Sequence, residues 1–180
     1  VIADHAIFMG VMKALEAGDP QVLNTKNGRR YAAMLKKTRE YANSNQLADY
    51  VELSEQLVKE LIKDKVLASA AYDTAWNETI ESAEKHNLPG IFTTFIGYEW
   101  SSIAFNLHRV VVFKDGRDKV SKIVPFSHYD SPDPEALWSF FDGYTKTTGG
   151  DVLAIPHNGN LSRGVMFALE DTRGNYLSAE

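Results

Sequence analysis

Our prediction of the fold begins from the stretch of residues 91–100, which reads IFTTFIGYEW. Its first six residues are all β-branched or aromatic, a composition typical of a buried strand. The apolar run ends at the polar side chain of Glu99. We therefore predict a buried strand over residues 91–96 that delivers Glu99 to the edge of a sheet.

Other strands and several helices surround this stretch in the chain. Further strands are predicted over residues 1–3, 109–114, 122–126 and 151–156. Helices are predicted over residues 6–17, 31–42, 47–67 and 70–85, and another is predicted to begin at Asp133-Pro134, where Asp is a good N-cap and Pro fits the first helical position. Strands that alternate with helices predict an α/β fold, with a β-hairpin between Glu99 and Lys114.

Composition narrows the function classes. The chain has 180 residues, of which 44% are hydrophobic and 24% charged, which is enough for one domain with its own core. Its net charge of −5 argues against binding to a nucleic-acid backbone. The absence of cysteine excludes disulfides, thiolate metal sites and cysteine nucleophiles. No apolar run approaches the length of a membrane span, and the periplasm and the cytoplasm both remain open.

Three predicted strands lead directly into groups that bind metals or transfer protons. Residues 1–3 lead to Asp4-His5, residues 91–98 lead to Glu99, and residues 151–156 lead to His157. The carboxyl ends of parallel strands meet at one rim of a sheet, where functional groups gather. His108 joins them if its strand returns antiparallel to the strand of Glu99.

Imidazoles and a carboxylate together suit Zn²⁺, Mn²⁺ or Fe²⁺. A glutamate between two such ions can bridge them, and the metals activate a water molecule for hydrolysis. Each residue also has a structural interpretation, as a capping, strand-end, surface or loop side chain. Phosphate-binding loops, dinucleotide fingerprints, serine-esterase elbows and zincin helices are absent from the sequence.

Four segments resemble a bacterial family of uncharacterised proteins, domain-of-unknown-function family 3604. They are FTTFIGYEWSSIAFNLHRVVVF at 92–113, PFS at 125–127, DSPDPEALW at 130–138 and VLAIPHNGNLS at 152–162. That family resembles the polymerase and histidinol phosphatase (PHP) superfamily of metal-dependent phosphoesterases, and the opening VIADHA is similar to the superfamily's second motif. The resemblance implies a partial, distorted (β/α)7 barrel, with a helical insertion over residues 18–90 and a strand-rich part over residues 91–180.

The resemblance also implies a metal site. His5 matches a metal-binding histidine, with Asp4 beside it as a partner, and Glu99 matches a carboxylate that bridges two metals. His108 and His157 match further ligands, although His157 stands in Pro-His-Asn where the superfamily has Ala-His-Pro. The superfamily's His-x-His motif would precede Val1 and its Asp-x-His motif would follow Glu180. The chain is thus expected to be an internal fragment with an incomplete site, and open strand edges would favour homo-oligomers.

The expected reaction is hydrolysis of a small anionic substrate such as a phosphate ester, by a water molecule that divalent metals activate. Glu99 and Asp4 are the catalytic candidates, and Arg109, Asn158, Asn160 and Arg163 are candidates for substrate binding. Two alternatives remain open: a barrel glycoside hydrolase in which Glu99 works with a second carboxylate such as Asp4, and a non-catalytic binding module. The assignment depends on residues 5, 99, 108 and 157 facing one centre.

Overall fold

The computed structural model describes residues 3–103, 106–171 and 173–176. The helices are α1 (Val11–Ala17), α2 (Pro20–Leu23), α3 (Gly28–Asn43), α4 (Leu47–Leu61), α5 (Lys65–His86), α6 (Arg117–Val120) and α7 (Pro134–Thr148). The strands are β1 (Gly97–Trp100), β2 (His108–Phe113) and β3 (Val152–His157). Short 3-10 helices cover Ala6–Phe8, Gly159–Leu161 and Val165–Phe167. The predicted mixed α/β class is confirmed.

The chain divides into two compact units. One consists of Phe8–Trp76 and is helical, and the other consists of Val1–Ile7 with Asn77–Glu180 and contains the sheet. None of the helices in the described ranges is long and apolar enough to cross a lipid bilayer.

Helix α3 packs on α4 in the helical unit, with Tyr31, Leu57 and Leu61 buried. The single helix predicted over residues 47–67 is wrong, because α4 ends at Leu61 and α5 begins at Lys65. The Asp64 carboxylate accepts a hydrogen bond from the backbone N–H of Leu67 at 3.1 Å, as a helix-capping residue does. The apolar spacing continues from α4 into α5, so the sequence pattern alone does not indicate that a new helix begins at Lys65.

Gly10 allows α1 to approach α5 within the helical unit. Its φ is 75°, and a Cβ there would lie 2.6 Å from the Cβ of Ala75. Both the left-handed backbone and the missing side chain are therefore needed at this position.

The sheet has the order β1-β2-β3, with both pairs antiparallel. Strands β1 and β3 consequently run in the same direction, and their carboxyl ends lie at the same edge as the start of β2. The segment around His5 adds a parallel bridge to β1, in which the Glu99 N–H donates to the Asp4 carbonyl at 2.8 Å. The described strands form an open sheet, and β3 pairs only with β2 among them.

The two faces of the sheet differ in burial. Tyr98, Trp100, Val111 and Phe113 point to one face and are fully buried, and the Phe113 ring meets Tyr144 of α7 at 5.0 Å. The other face carries Glu99, His108, Val110, Val112, Leu153, Ile155 and His157. Its apolar part is less covered, since Leu153 is 60% exposed.

Two predicted strands are wrong. Residues 91–96 form no strand, and Ile91 is 86% exposed, because Leu88 and Phe92 exchange two backbone hydrogen bonds and close a tight turn there. Residues 122–126 also lack strand structure and follow the short helix α6. Within the strand predicted over residues 1–3, Val1 and Ile2 lie outside the described residues.

The other predicted elements agree with the structure to within five residues at their ends, whereas the short helices α2 and α6 were not predicted. Strands β2 and β3 begin one residue before and one residue after their predicted starts. Helix α7 begins as predicted, because the Asp133 carboxylate accepts from the Glu135 N–H at 3.1 Å and Pro134 occupies the first helical position.

Asp115 ties the end of β2 to the start of β3. Its carboxylate accepts hydrogen bonds from the Tyr144 hydroxyl at 3.0 Å and the Asp151 N–H at 2.7 Å, and it pairs with Lys119 at 2.8 Å. Burial by itself would raise the pKa of Asp115, but these donors outweigh burial and lower it.

We expect Asp115→Asn to lower the free energy of unfolding at pH 7 by about 1–3 kcal/mol, because buried donors lose a charged acceptor. Since the folded-state pKa is lowered, this stabilisation is present above the unfolded pKa of about 3.9 and disappears as the pH falls through the folded value. Urea unfolding between pH 2 and pH 7 measures it. The exposed Asp142→Asn on α7 is the control, and equal losses in both variants would contradict the role of Asp115.

Candidate metal centre

The Glu99 carboxylate is the centre of a compact polar cluster. It lies at the end of β1 and is only 4% exposed. Its Oε1 lies 2.6 Å from Nδ1 of His108 and 3.1 Å from Nδ1 of His5, and its Oε2 lies 3.0 Å from Nδ1 of His157. The structure therefore brings together the four residues that the sequence predicted to share one centre.

Strand pairing explains this convergence. Glu99 pairs with Val110, and His108 pairs with His157, so all three polar side chains point to the same face at the same edge. His5 arrives from the other side of β1 through its parallel bridge to Glu99. Glu99 is 9 positions from His108, 58 positions from His157 and more than 90 positions from His5. The backbone register therefore brings together residues that are far apart in the chain.

Ser101 belongs to the cluster and was missed by the sequence analysis. Its buried hydroxyl lies 2.7 Å from Nδ1 of His5 and donates to Glu99 Oε1 at 3.2 Å. The signal was available: Ser101 stands two residues after Glu99, and alternate residues of a strand share a face. A single serine after an aromatic residue is too common a pattern to single out without that register.

Opposing effects determine the charge of Glu99. Burial would raise its pKa, but the hydrogen bond from His108 and the nearby imidazoles of His5, His108 and His157 outweigh burial and lower it. The carboxylate is therefore ionised near neutral pH and acts only as a hydrogen-bond acceptor.

Because the Glu99 carboxylate only accepts hydrogen bonds, it determines which nitrogen of each neighbouring imidazole carries the proton. Nδ1 of His108 and of His157 each faces a Glu99 oxygen, so each carries the proton, and Nε2 of a neutral ring keeps its lone pair. Since the Ser101 hydroxyl donates to Glu99, it accepts from Nδ1 of His5. Glu99 therefore orients the three rings through their Nδ1 atoms, and the lone pair of each neutral ring is on Nε2.

Three of these residues offer ligand atoms that are close enough together to hold a metal ion. His5, Glu99 and His108 each offer one ligand atom, and these atoms all lie within 4.8 Å of one another. Nitrogen and carboxylate donors suit zinc, manganese or iron. With bonds of about 2.0–2.2 Å, two ligands of one zinc ion lie about 3 Å or more apart. The 2.6 Å contact between His108 and Glu99 is shorter, so this pair is hydrogen-bonded in the structure rather than arranged as two ligands of one ion.

The other predicted residues lie around or away from this cluster. Asp4 is exposed and contributes its backbone carbonyl to the bridge with Glu99. Asn158, Asn160 and Arg163 are exposed and follow the end of β3. Arg109 points to the opposite face of the sheet, since its strand position alternates with that of His108.

The chain leaves the rim through unusual backbone conformations. Asn106, just before β2, and Asn158, just after β3, have φ values of 53° and 56°. The Asn106 side-chain amide donates to the Asn158 carbonyl at 3.3 Å, which connects the two segments that carry His108 and His157. Arg163 also has a positive φ, of 55°, which is uncommon for a long side chain.

The family model described as "Protein of unknown function (DUF3604)" matches residues 1–180. The chain belongs to this family. Among curated proteins and among solved structures, no significant match to the chain was found. The DUF3604 match therefore confirms the family that the sequence resembled, and it assigns no chemistry to the cluster around Glu99.

We expect Ser101→Ala to weaken Zn²⁺ binding by about 10–100-fold, because His5 loses the hydroxyl that orients its ring. Isothermal titration calorimetry of the metal-free protein measures the affinity. Ser139→Ala, on the exposed surface of α7, is the matched control. Affinity unchanged by the loss of the Ser101 hydroxyl would show that His5 needs no such support.

Proposed function

We propose that this DUF3604 domain is a metal-dependent hydrolase that acts on phosphate esters. The observation that carries the proposal is the convergence of three imidazoles and one buried carboxylate on a single rim of the sheet. Burying the Glu99 carboxylate is costly without such partners, and imidazole and carboxylate donors together are typical of metal-assisted hydrolysis. A bound divalent metal would polarise a water molecule and so supply the nucleophile.

The protein's own side chains would set the conditions for this step. Glu99 stays ionised and holds the rings of His5, His108 and His157 in one orientation. With one carboxylate among three imidazoles, a metal-loaded site carries net positive charge and favours an anionic group. The exposed Asn160 and Arg163 after β3 are the groups we assign to substrate binding.

The two other interpretations receive less support from these contacts. A glycosidase needs a second carboxylate about 5–10 Å from Glu99, facing the same bond of the substrate. The groups that surround Glu99 are imidazoles and a hydroxyl, and Asp4 meets it through a backbone carbonyl. In a binding module we would expect the imidazoles to bond to backbone groups, whereas here they bond to Glu99 and Ser101.

We also propose that the sheet is part of a PHP-like barrel. In support, β1 and β3 run in the same direction, the segment of His5 joins β1 in parallel, and the polar groups lie at the carboxyl ends of these strands. The weakly covered face with Leu153 and Ile155 would then face the barrel interior.

The test compares Glu99→Gln with the wild-type protein. We expect the neutral amide to lower Zn²⁺ or Mn²⁺ affinity about 10–100-fold, because it removes the charge and replaces one of the two acceptor oxygens that orient the rings by an NH2 donor. Hydrolysis of bis(p-nitrophenyl) phosphate by the metal-loaded protein should fall by a similar factor. Calorimetry and the release of p-nitrophenol measure the two effects.

Glu135→Gln is the matched control, since it makes the same chemical change in the first turn of α7, outside the cluster around Glu99. Equal metal affinity and equal hydrolysis in Glu99→Gln and wild type would refute the proposal. Hydrolysis of a nitrophenyl glycoside that survives a chelator would favour the glycosidase interpretation instead.

A further inference from the structure

Arg109 is a buried cation outside the metal centre. It lies on β2 opposite Trp100 of β1, on the face of the sheet that points away from Glu99. The residue is only 7% exposed. Its guanidinium carbon lies 5.8 Å from the ring centre of Trp100 and 5.1 Å from that of Trp138 on α7. We call these three residues the arginine–indole box.

Most donors of Arg109 have no acceptor among the described residues. A guanidinium has five N–H donors, and the structure gives Arg109 one hydrogen bond, to the Leu107 carbonyl at 3.3 Å. Within residues 3–103, 106–171 and 173–176, no carboxylate pairs with it. The two indole rings attract the guanidinium charge through their π faces, which supply no hydrogen-bond acceptor for its N–H groups.

A second buried donor lies next to it. The indole N–H of Trp100 is inaccessible to solvent and lacks an acceptor among the described residues. Trp100 and Arg109 are direct cross-strand neighbours, so both unsatisfied donors belong to the same patch of the same face. Buried donors without acceptors are costly, and a buried charge without a counter-charge is costlier.

We propose that the arginine–indole box is a binding site for an oxyanion group, a carboxylate or a phosphate. Two oxygens of such a group match the paired N–H donors at the edge of a guanidinium. Trp138 is the exposed member of the box, at 38%, so the box lies next to the protein surface. The site lies on the opposite face of the sheet from Glu99 and does not depend on the proposed hydrolase activity.

The test titrates the full, metal-free chain with sodium phosphate and with sodium acetate in the presence of a chelator, against sodium chloride at equal ionic strength. We expect a saturable rise in Tm of about 3 °C or more at ten times the Kd. Tryptophan fluorescence should change with the same midpoint, because two of the three tryptophans line the box. A response to either oxyanion supports the site, and the responding anion identifies its geometry.

Arg109→Met removes the charge while keeping an unbranched side chain between the indoles, and it should abolish the response. Arg117→Met, an exposed arginine in the same unit, should retain it. The proposal would be overturned if the wild type had the same Tm in phosphate and acetate as in chloride at equal ionic strength. It would also be overturned if Arg109→Met kept the rise in Tm.

A second measurement covers the case in which Arg109→Met does not fold. In the ¹⁵N-labelled wild type, one arginine Nε–H resonance should shift with the oxyanion, and Trp138→Phe should move that same resonance through the changed ring current. The absence of any such resonance would equally overturn the site.

Discussion

The strand-rich unit depends on keeping one carboxylate charged in a place that excludes water. Glu99 loses its hydration when β1 is covered, and the replacement comes from His5, His108, His157 and the hydroxyl of Ser101. Removing any one donor leaves a buried acceptor less satisfied, so the five side chains act as a unit. The pKa of Glu99 is lowered despite its burial, because the effect of the donors on the pKa is larger than the effect of burial.

The same constraint accounts for how the backbone is arranged around the cluster. A shift of one residue in the pairing of β1 and β2 would send His108 to the opposite face and bring Arg109 beside Glu99. The buried Val111 and Phe113 of β2 resist that shift, because they would then face the less covered side. The packing of side chains on the buried face of the sheet therefore keeps Glu99, His108 and His157 in their positions on the other face.

Much of this could be predicted from the sequence, because the polar residues follow apolar strands directly. The ends of β1 and β3 and the start of β2 were located well enough to group residues 5, 99, 108 and 157. The strand expected over residues 91–96 failed, since composition does not reveal the local turn between Leu88 and Phe92. The roles of Ser101 and of the contact between Arg109 and the two indoles were not predicted, because both depend on which face a residue occupies rather than on its type.

The order in which the cluster can assemble follows from the distances between its members along the chain. His108 and Glu99 are 9 residues apart, His157 and Glu99 are 58 apart, and His5 and Ser101 are 96 apart. Closing the longest of these loops costs about 2 kcal/mol more chain entropy than closing the shortest. This difference favours early formation of the His108–Glu99 pair and late arrival of His5. The full set of donors around Glu99 is therefore a property of the completed fold rather than of any intermediate along the way.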